Sequence, residues 1–280
     1  RGVDSSQCSD PRVQRWADRY SSNPQVFTRQ MTRALPRLRY VTDIILDAGL
    51  PAEFALVPWV ESNFRPLPGR RRGAAGMWQI MPATGRELGL RIDRHFDGRL
   101  DLDQATRAVT RMLQRDYQML GSWPLTDMAF NAGVYGIRRL SADLDPDELA
   151  RAIPPLEAKP VTLNHLAKVQ ALACIVRQPQ HYGVKLPHPD RGTHLLRRQL
   201  PKVLELPVAA RLAGLSTAQL RAMNPAIRDR TAPASALLLP AASAAVFDRH
   251  YARLEQFNWQ PWQRVRLANP TPPLAPAPGP

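Results

Sequence analysis

Acidic residues are scarce in this chain: 24 Asp and Glu stand against 38 Lys and Arg, a formal net charge of +14 over 280 residues. A field of that sign argues against cationic partners and favours polyanions, whether nucleic acid, an acidic lipid surface or an anionic cell-wall polymer. An arginine-rich solvated surface without any such partner accounts for it equally well. Cysteine is nearly absent. Cys8 and Cys174 are too few for a disulfide framework and lack metal-ligand spacing, so a bridge between them stays open beside one surface thiol and one buried apolar residue. Long apolar runs are missing too. Spanning a bilayer takes about 18–20 apolar residues, and the nearest stretch, Ala234 to Phe247, is cut by Pro240. The sequence opens at Arg1 with neither an initiator Met nor a charged and then apolar leader, which leaves open whether a signal segment preceded it. No nucleic-acid motif occurs, and that sets nucleic acid aside as a partner.

What is present is apolar material at helical spacing. Hydrophobic residues make up 44% of the chain, sufficient for one large or two modest domains with cores of their own. The spacing predicts helices over Val26 to Leu50 and over Ala52 to Asn63, the latter bent by Pro58. An arginine-rich loop at Arg70 to Arg72 precedes a Gly/Ala turn and a short helix opening at Pro82. Asp103 to Leu120 carries the clearest stripe, with Asp101 or Asp103 as N-cap and Gly121 as stop. Leu125 to Ala132, Pro146 to Ile153 and Thr162 to Arg177 read as further helices. His181 to Gly192, rich in Pro, Gly and His, marks a boundary. Beyond it, a strand within Leu195 to Leu206, two short helices, Val208 to Leu212 and Thr217 to Met223, and a strand at Ala236 to Leu239 make a small β-α-α-β unit, followed by a helix from about Ser243 to Gln256. The half-proline stretch Asn269 to Pro280 has nothing to bury and reads as a disordered tail or linker.

Chemistry concentrates around Glu61. It ends a largely apolar segment, Phe54 to Phe64, where desolvation disfavours a charged carboxylate and raises its pKa. A Glu kept protonated near neutral pH is what glycosidic cleavage needs, because the leaving sugar oxygen must receive a proton. Taken alone, the same Glu fits the exposed face of an amphipathic helix. Downstream blocks change the balance: Glu61-Ser-Asn-Phe64, Gly73-Ala-Ala-Gly-Met-Trp-Gln-Ile-Met-Pro-Ala-Thr-Gly85, Asp97-Gly-Arg-Leu-Asp101 and Ala129-Phe-Asn-Ala-Gly133 follow one another in order. In that order and spacing the chain resembles the soluble-lytic-transglycosylase family, and in particular its membrane-bound D-type branch, over roughly residues 26–187.

The resemblance implies a mainly α architecture: a lysozyme-like helical catalytic domain followed by a small LysM-like α+β module. The expected division is an N-terminal extension over 1–25, the catalytic domain over 26–187, the LysM-like module with its C-terminal helix over 193–267 and the proline-rich tail over 268–280. Glu61 is implied as the single general acid and base, with Ser62 orienting it or the substrate. Gln79 would bond a sugar N-acetyl group, Met77 and Trp78 would line the cleft, and Asn131 would hold the substrate through its amide. Two positions depart from the family pattern. Phe130 stands where the family has a Tyr, and His165 takes the place of a Tyr that touches the catalytic Glu. His165 can hydrogen-bond Glu61 or, if charged, depress its pKa.

Cleavage with one carboxyl suits an intramolecular reaction better than hydrolysis, which ordinarily needs a second carboxylate. Asp97, Asp101 and Asp103, the nearby candidates for one, are explained by an Asp-Gly turn and helix capping. The family reaction breaks the bond between N-acetylmuramic acid and N-acetylglucosamine and closes a 1,6-anhydro ring, with no metal or organic cofactor. Glycan strands of peptidoglycan are the implied substrate, other wall or envelope proteins the further partners, and the periplasm or cell envelope, with outer-membrane association open, the implied place. Residues Leu206 to Pro225, closing at Leu237 to Pro240, resemble a divergent LysM module, a fold that often binds N-acetylglucosamine chains; a unit that only buttresses the first domain is the alternative. The changes at Phe130 and His165 keep a slow or inactive wall-binding scaffold in view, and a muramidase- or chitinase-like hydrolase is the other rival.

Overall fold

The computed structural model describes residues 7–69, 73–149, 151–188, 190, 192, 194–200, 204–228, 231–232 and 236–256. The arginine loop at 70–72 and the proline-rich tail therefore lie outside the described residues, as do Trp259 and Trp262.

The first unit is helical: α1 (Pro11–Ser21), α2 (Pro24–Asp47), α3 (Val57–Ser62), α4 (Pro82–Glu87), α5 (Leu102–Leu120), α6 (Trp123–Ala132), α7 (Val134–Leu140), α8 (Pro146–Leu149) and α9 (Pro160–Arg177). At its centre lies α9, buried over most of its circumference from Leu163 to Ile175. A helix apolar on nearly all sides has no solvated stripe to offer, so α1, α3 and α6 pack around it. Asp101 caps α5 by accepting from the Gln104 N–H, and Gly121, at φ 65°, stops it by adopting the left-handed conformation. Of the two N-cap candidates, Asp101 is therefore the one used. Asp103 instead accepts from the Tyr40 hydroxyl at 2.9 Å.

Several elements differ from expectation. The segment before Val26 contains α1, capped by Asp10 and opened by Pro11. Its buried face consists of just Val13 and Ala17, one turn apart among charged residues, too thin a stripe for periodicity to reveal. These two seat α1 on α9, and a Cys8–Cys174 disulfide ties the same region to α9. Pro58 does not bend a continuous helix: a 3-10 turn over Ala52–Leu56 ends first, and Pro58 stands in the opening turn of α3, where its missing N–H costs no hydrogen bond. Pro36, by contrast, is accommodated inside α2. The helix expected over Pro146 to Ile153 is the single turn α8, and α7 is added.

Past the boundary, β1 (Leu195–Gln199) precedes β2 (Leu204–Glu205), α10 (Leu206–Leu212), α11 (Thr217–Met223), β3 (Thr231–Ala232), β4 (Ala236–Pro240) and α12 (Ala241–Gln256). β1 pairs antiparallel with β4, bringing Arg197 opposite Leu238, and β2 pairs with β3. Ser216 and Gln219 form a reciprocal capping box on α11. The buried amide of Asn224 donates to the carbonyls of Leu220 and Leu238 and accepts from the Leu238 N–H, tying the helices to β4. This unit is docked, not tethered. Phe96 and Leu100 of the first unit enter its core, Phe96 bridges Ile227 through the backbone, and Arg228 reaches the fully buried Asp97 at 2.7 Å.

Candidate active site

Glu61 owes its position to a helix that is short and mostly buried. Val57, Pro58 and Trp59 point into the core, while Glu61 sits in the last turn before Asn63 ends the helix in a left-handed conformation, φ 56°. Its carboxyl side chain is 19% exposed, neither in open solvent nor sealed. Ser62 faces inward. Its hydroxyl lies 2.9 Å from the Met77 carbonyl and 3.1 Å from that of Pro58, so it fastens the end of α3 to the 73–80 loop.

That loop is a tight turn pinned by an antiparallel bridge between Ala75 and Ile80. Trp78 is buried and donates its indole N–H to Thr106 Oγ1 at 3.0 Å. Gln79 takes φ 48° and donates its amide N–H to the Gly76 carbonyl at 2.6 Å. Beneath the turn, the buried Arg99 guanidinium donates to the Gly73 and Ile80 carbonyls and pairs with Asp97 at 2.9 Å. The Asp-Gly motif is thus a scaffold for the loop.

Glu61, Trp78, Gln79, Phe130 and Asn131 line one cavity of about 590 Å³, together with residues of α4, α5 and the start of α7. Ser62 and His165 stand behind this lining, and Met77, expected on the cleft wall, lies in the core because its backbone turns towards Ser62. Asn131 is exposed and its Oδ1 accepts from the Thr162 hydroxyl at 3.0 Å. Tyr135 is exposed on the same lining. Two carboxylates that the sequence reading missed also line the cavity, Glu87 and Asp116; Asp116 pairs with Arg115 at 2.9 Å, and burial raises its pKa. Position on the inner stripe of α5 is the feature that could have flagged Asp116.

His165 Nε2 lies 3.0 Å from Glu61 Oε1, and its Nδ1 lies 2.9 Å from Asp127 Oδ1. Burial works to lower the imidazole pKa, but the Asp127 charge and hydrogen bonds to Asp127 and Glu61 outweigh it and push it up to about 10. Phe130 stacks on the His165 ring at 5.9 Å and approaches Trp78 at 6.1 Å. Asp127 also escaped the sequence reading. An Asp inside the apolar run Leu125 to Ala129 was its trace, since an acid there demands a buried partner.

The helical unit sets Glu61 and the amide side chains of Gln79 and Asn131 around one cavity, and the sequence places this unit in a lysozyme-like fold: residues 47–143 match the Transglycosylase SLT domain and residues 194–256 match the LysM-like domain of lytic transglycosylase MltD. The chain thus carries an SLT domain followed by an MltD-type LysM-like domain. It is a homologue of membrane-bound lytic murein transglycosylase D from Escherichia coli strain K12, and of the protein of that name from E. coli O6:H1, each 31% identical over 225 residues that cover 80% of this chain and 50% of the relative. The chain therefore spans half the length of these curated relatives.

Proposed function

We propose that the chain is a peptidoglycan lytic transglycosylase that cuts the β-1,4 bond between N-acetylmuramic acid and N-acetylglucosamine and leaves 1,6-anhydromuramic acid ends. The observation that carries this is the meeting of Glu61, Gln79 and Asn131 on one cavity, with the Glu61 carboxyl half-sheltered and backed by His165. Glu61 gives a proton to the leaving oxygen and then takes one from the C6 hydroxyl of the muramic acid. That hydroxyl belongs to the sugar under attack, so it has the effective-concentration advantage of an intramolecular nucleophile, and the substrate's acetamido group stabilises the positive intermediate. Gln79 and Asn131 orient the sugars, and Trp78 and Phe130 form the apolar wall.

The LysM-like module, docked through Phe96 and Arg228, presents a second surface for the glycan strand. A disulfide between Cys8 and Cys174 fits an oxidising compartment, and with the net charge of +14 it supports a place in the cell envelope against anionic wall polymers. Among the described residues no helix is long and apolar enough to cross a membrane.

One observation favours a second reading, hydrolysis: Asp116 and Glu87 give the cavity carboxylates besides Glu61. Digestion of purified sacculi by the wild-type chain and by Glu61→Gln separates the readings. Transglycosylation yields 1,6-anhydromuropeptides, hydrolysis yields reducing ends, and a scaffold yields neither while still sedimenting with sacculi. The expected result is anhydro products from the wild type, reduced by about three orders of magnitude in Glu61→Gln, in line with the loss of an acid–base group, with binding retained. Equal activity in the variant would show that the acid is a different residue.

A further inference from the structure

We infer that Asp127 and His165 form, with Glu61, a buried proton-holding chain in which Asp127 acts as a positioning residue, orienting His165 so that its Nε2 shares a proton with the acid. This rests on the reading of Glu61 given above and adds residues to it.

The geometry is linear in sense and closed at one end. Asp127 Oδ1 takes Nδ1 at 2.9 Å, and Nε2 meets Glu61 Oε1 at 3.0 Å. The Asp127 carboxyl and the imidazole are each 4% exposed. The second Asp127 oxygen, Oδ2, is buried without a hydrogen-bond partner among the described residues, so His165 is what compensates this carboxylate. An uncompensated buried charge would be severely destabilising, and that constraint fixes Nδ1 as a donor towards Asp127. Nε2 is then the free end of the ring, and it faces the acid. Phe130 stacks over the imidazole and covers one face of it.

Two arrangements of one proton satisfy every bond. In the first, His165 is cationic and donates from both nitrogens to two carboxylates. In the second, the Nε2–H bond has broken and an O–H bond has formed on Glu61, leaving a neutral imidazole that still donates from Nδ1 to Asp127. A sugar seated over the partly exposed Glu61 removes water from the ion pair, and desolvation favours the second, neutral arrangement. Glu61 then passes a proton to the glycosidic oxygen as that C–O bond breaks, and recovers one from the C6 hydroxyl as the new C1–O6 bond forms. The chain ends the cycle with the protons it began with.

Other charges packed on α9 stand apart from the ring. Glu53 meets the helix near Arg177 at its far end, and Arg12, Arg15, Arg19 and Lys168 gather around Trp16. Titration of the ring therefore reports on Asp127 and Glu61, the two groups that bring it to about 10.

The test is a pH profile together with a titration by NMR. Asp127→Asn keeps the hydrogen-bond acceptor and removes the charge; it should move the alkaline limb of kcat/KM towards acid by about one pH unit or more, the direction expected when a stabilising carboxylate is lost, with KM for glycan strands little changed. His165→Gln should abolish that limb and lower kcat. The ring nitrogens of His165 in wild-type protein should remain protonated through pH 7 to 9 and titrate lower in Asp127→Asn. A wild-type His165 that titrates near 6.5, or an Asp127→Asn profile that superimposes on wild type, would overturn the chain. The NMR arm is read on wild-type protein with no turnover, so failure of the proton chain is distinguishable from failure to release anhydro products.

Discussion

Gly76 rests its bare Cα on the backbone of Arg99: a Cβ at this position would stand 1.8 Å from the Arg99 carbonyl oxygen. With φ at 80°, the residue also occupies a region that side chains avoid. Neither obstacle can be relieved by a rotamer change, because the obstructing atom is main chain. The loop that carries Trp78 and Gln79 is thus seated directly on the strut formed by Arg99 and Asp97.

Gly76→Ala should accordingly displace the loop. We expect a loss of about 2–4 kcal/mol from strain at a special backbone position, seen as a fall in Tm of about 5–15 °C, and weaker strand cleavage. A variant with wild-type Tm and activity would mean that the turn adapts freely.

The Cys8–Cys174 bridge closes a loop of 166 residues. Removing a native disulfide typically costs about 2–5 kcal/mol. The double Ser variant should melt lower than wild type while its activity at low temperature is kept, since α1 and Cys174 lie away from the cavity lining. Adding reductant should lower the wild-type Tm towards that of the variant and leave the variant unmoved; equal melting of oxidised wild type and variant would show that the bridge contributes nothing.

His165 makes stability depend on pH in a stated direction. Its folded pKa is raised from 6.5 to about 10, so the folded state holds a proton that the unfolded state releases between those values. The associated stability is fully present below pH 6.5 and is lost as pH rises towards 10. The Tm difference between wild type and His165→Gln should therefore shrink steadily from pH 6 to pH 10. A difference that stays constant, or widens, would contradict the assignment.

Much of this was readable along the chain because its causes are local. The stop at Gly121, the capping of α5 by one of its two leading aspartates and the helix over α9 are determined within a few residues of each. Asp97 and Asp101 read correctly as turn and cap residues for the same reason. Where the reading fell short, the deciding partner was distant in sequence. Val13 and Ala17 make a helix worthwhile only once α9 is there to cover them, and Met77 turns inward only because Ser62, 15 residues earlier, holds its carbonyl.

By itself, the sequence determined where most helices begin and stop and which local turns join them, since propensity, capping and left-handed glycine act over a few residues. Only the tertiary structure decided how the side chains of the site face one another. Asp127 and His165 are 38 residues apart and His165 and Glu61 are 104 apart, and three helices must converge before one proton can be held between them. Periodicity carries no record of such a meeting, because burial and charge compensation become properties of a residue only after its neighbours have been brought to it.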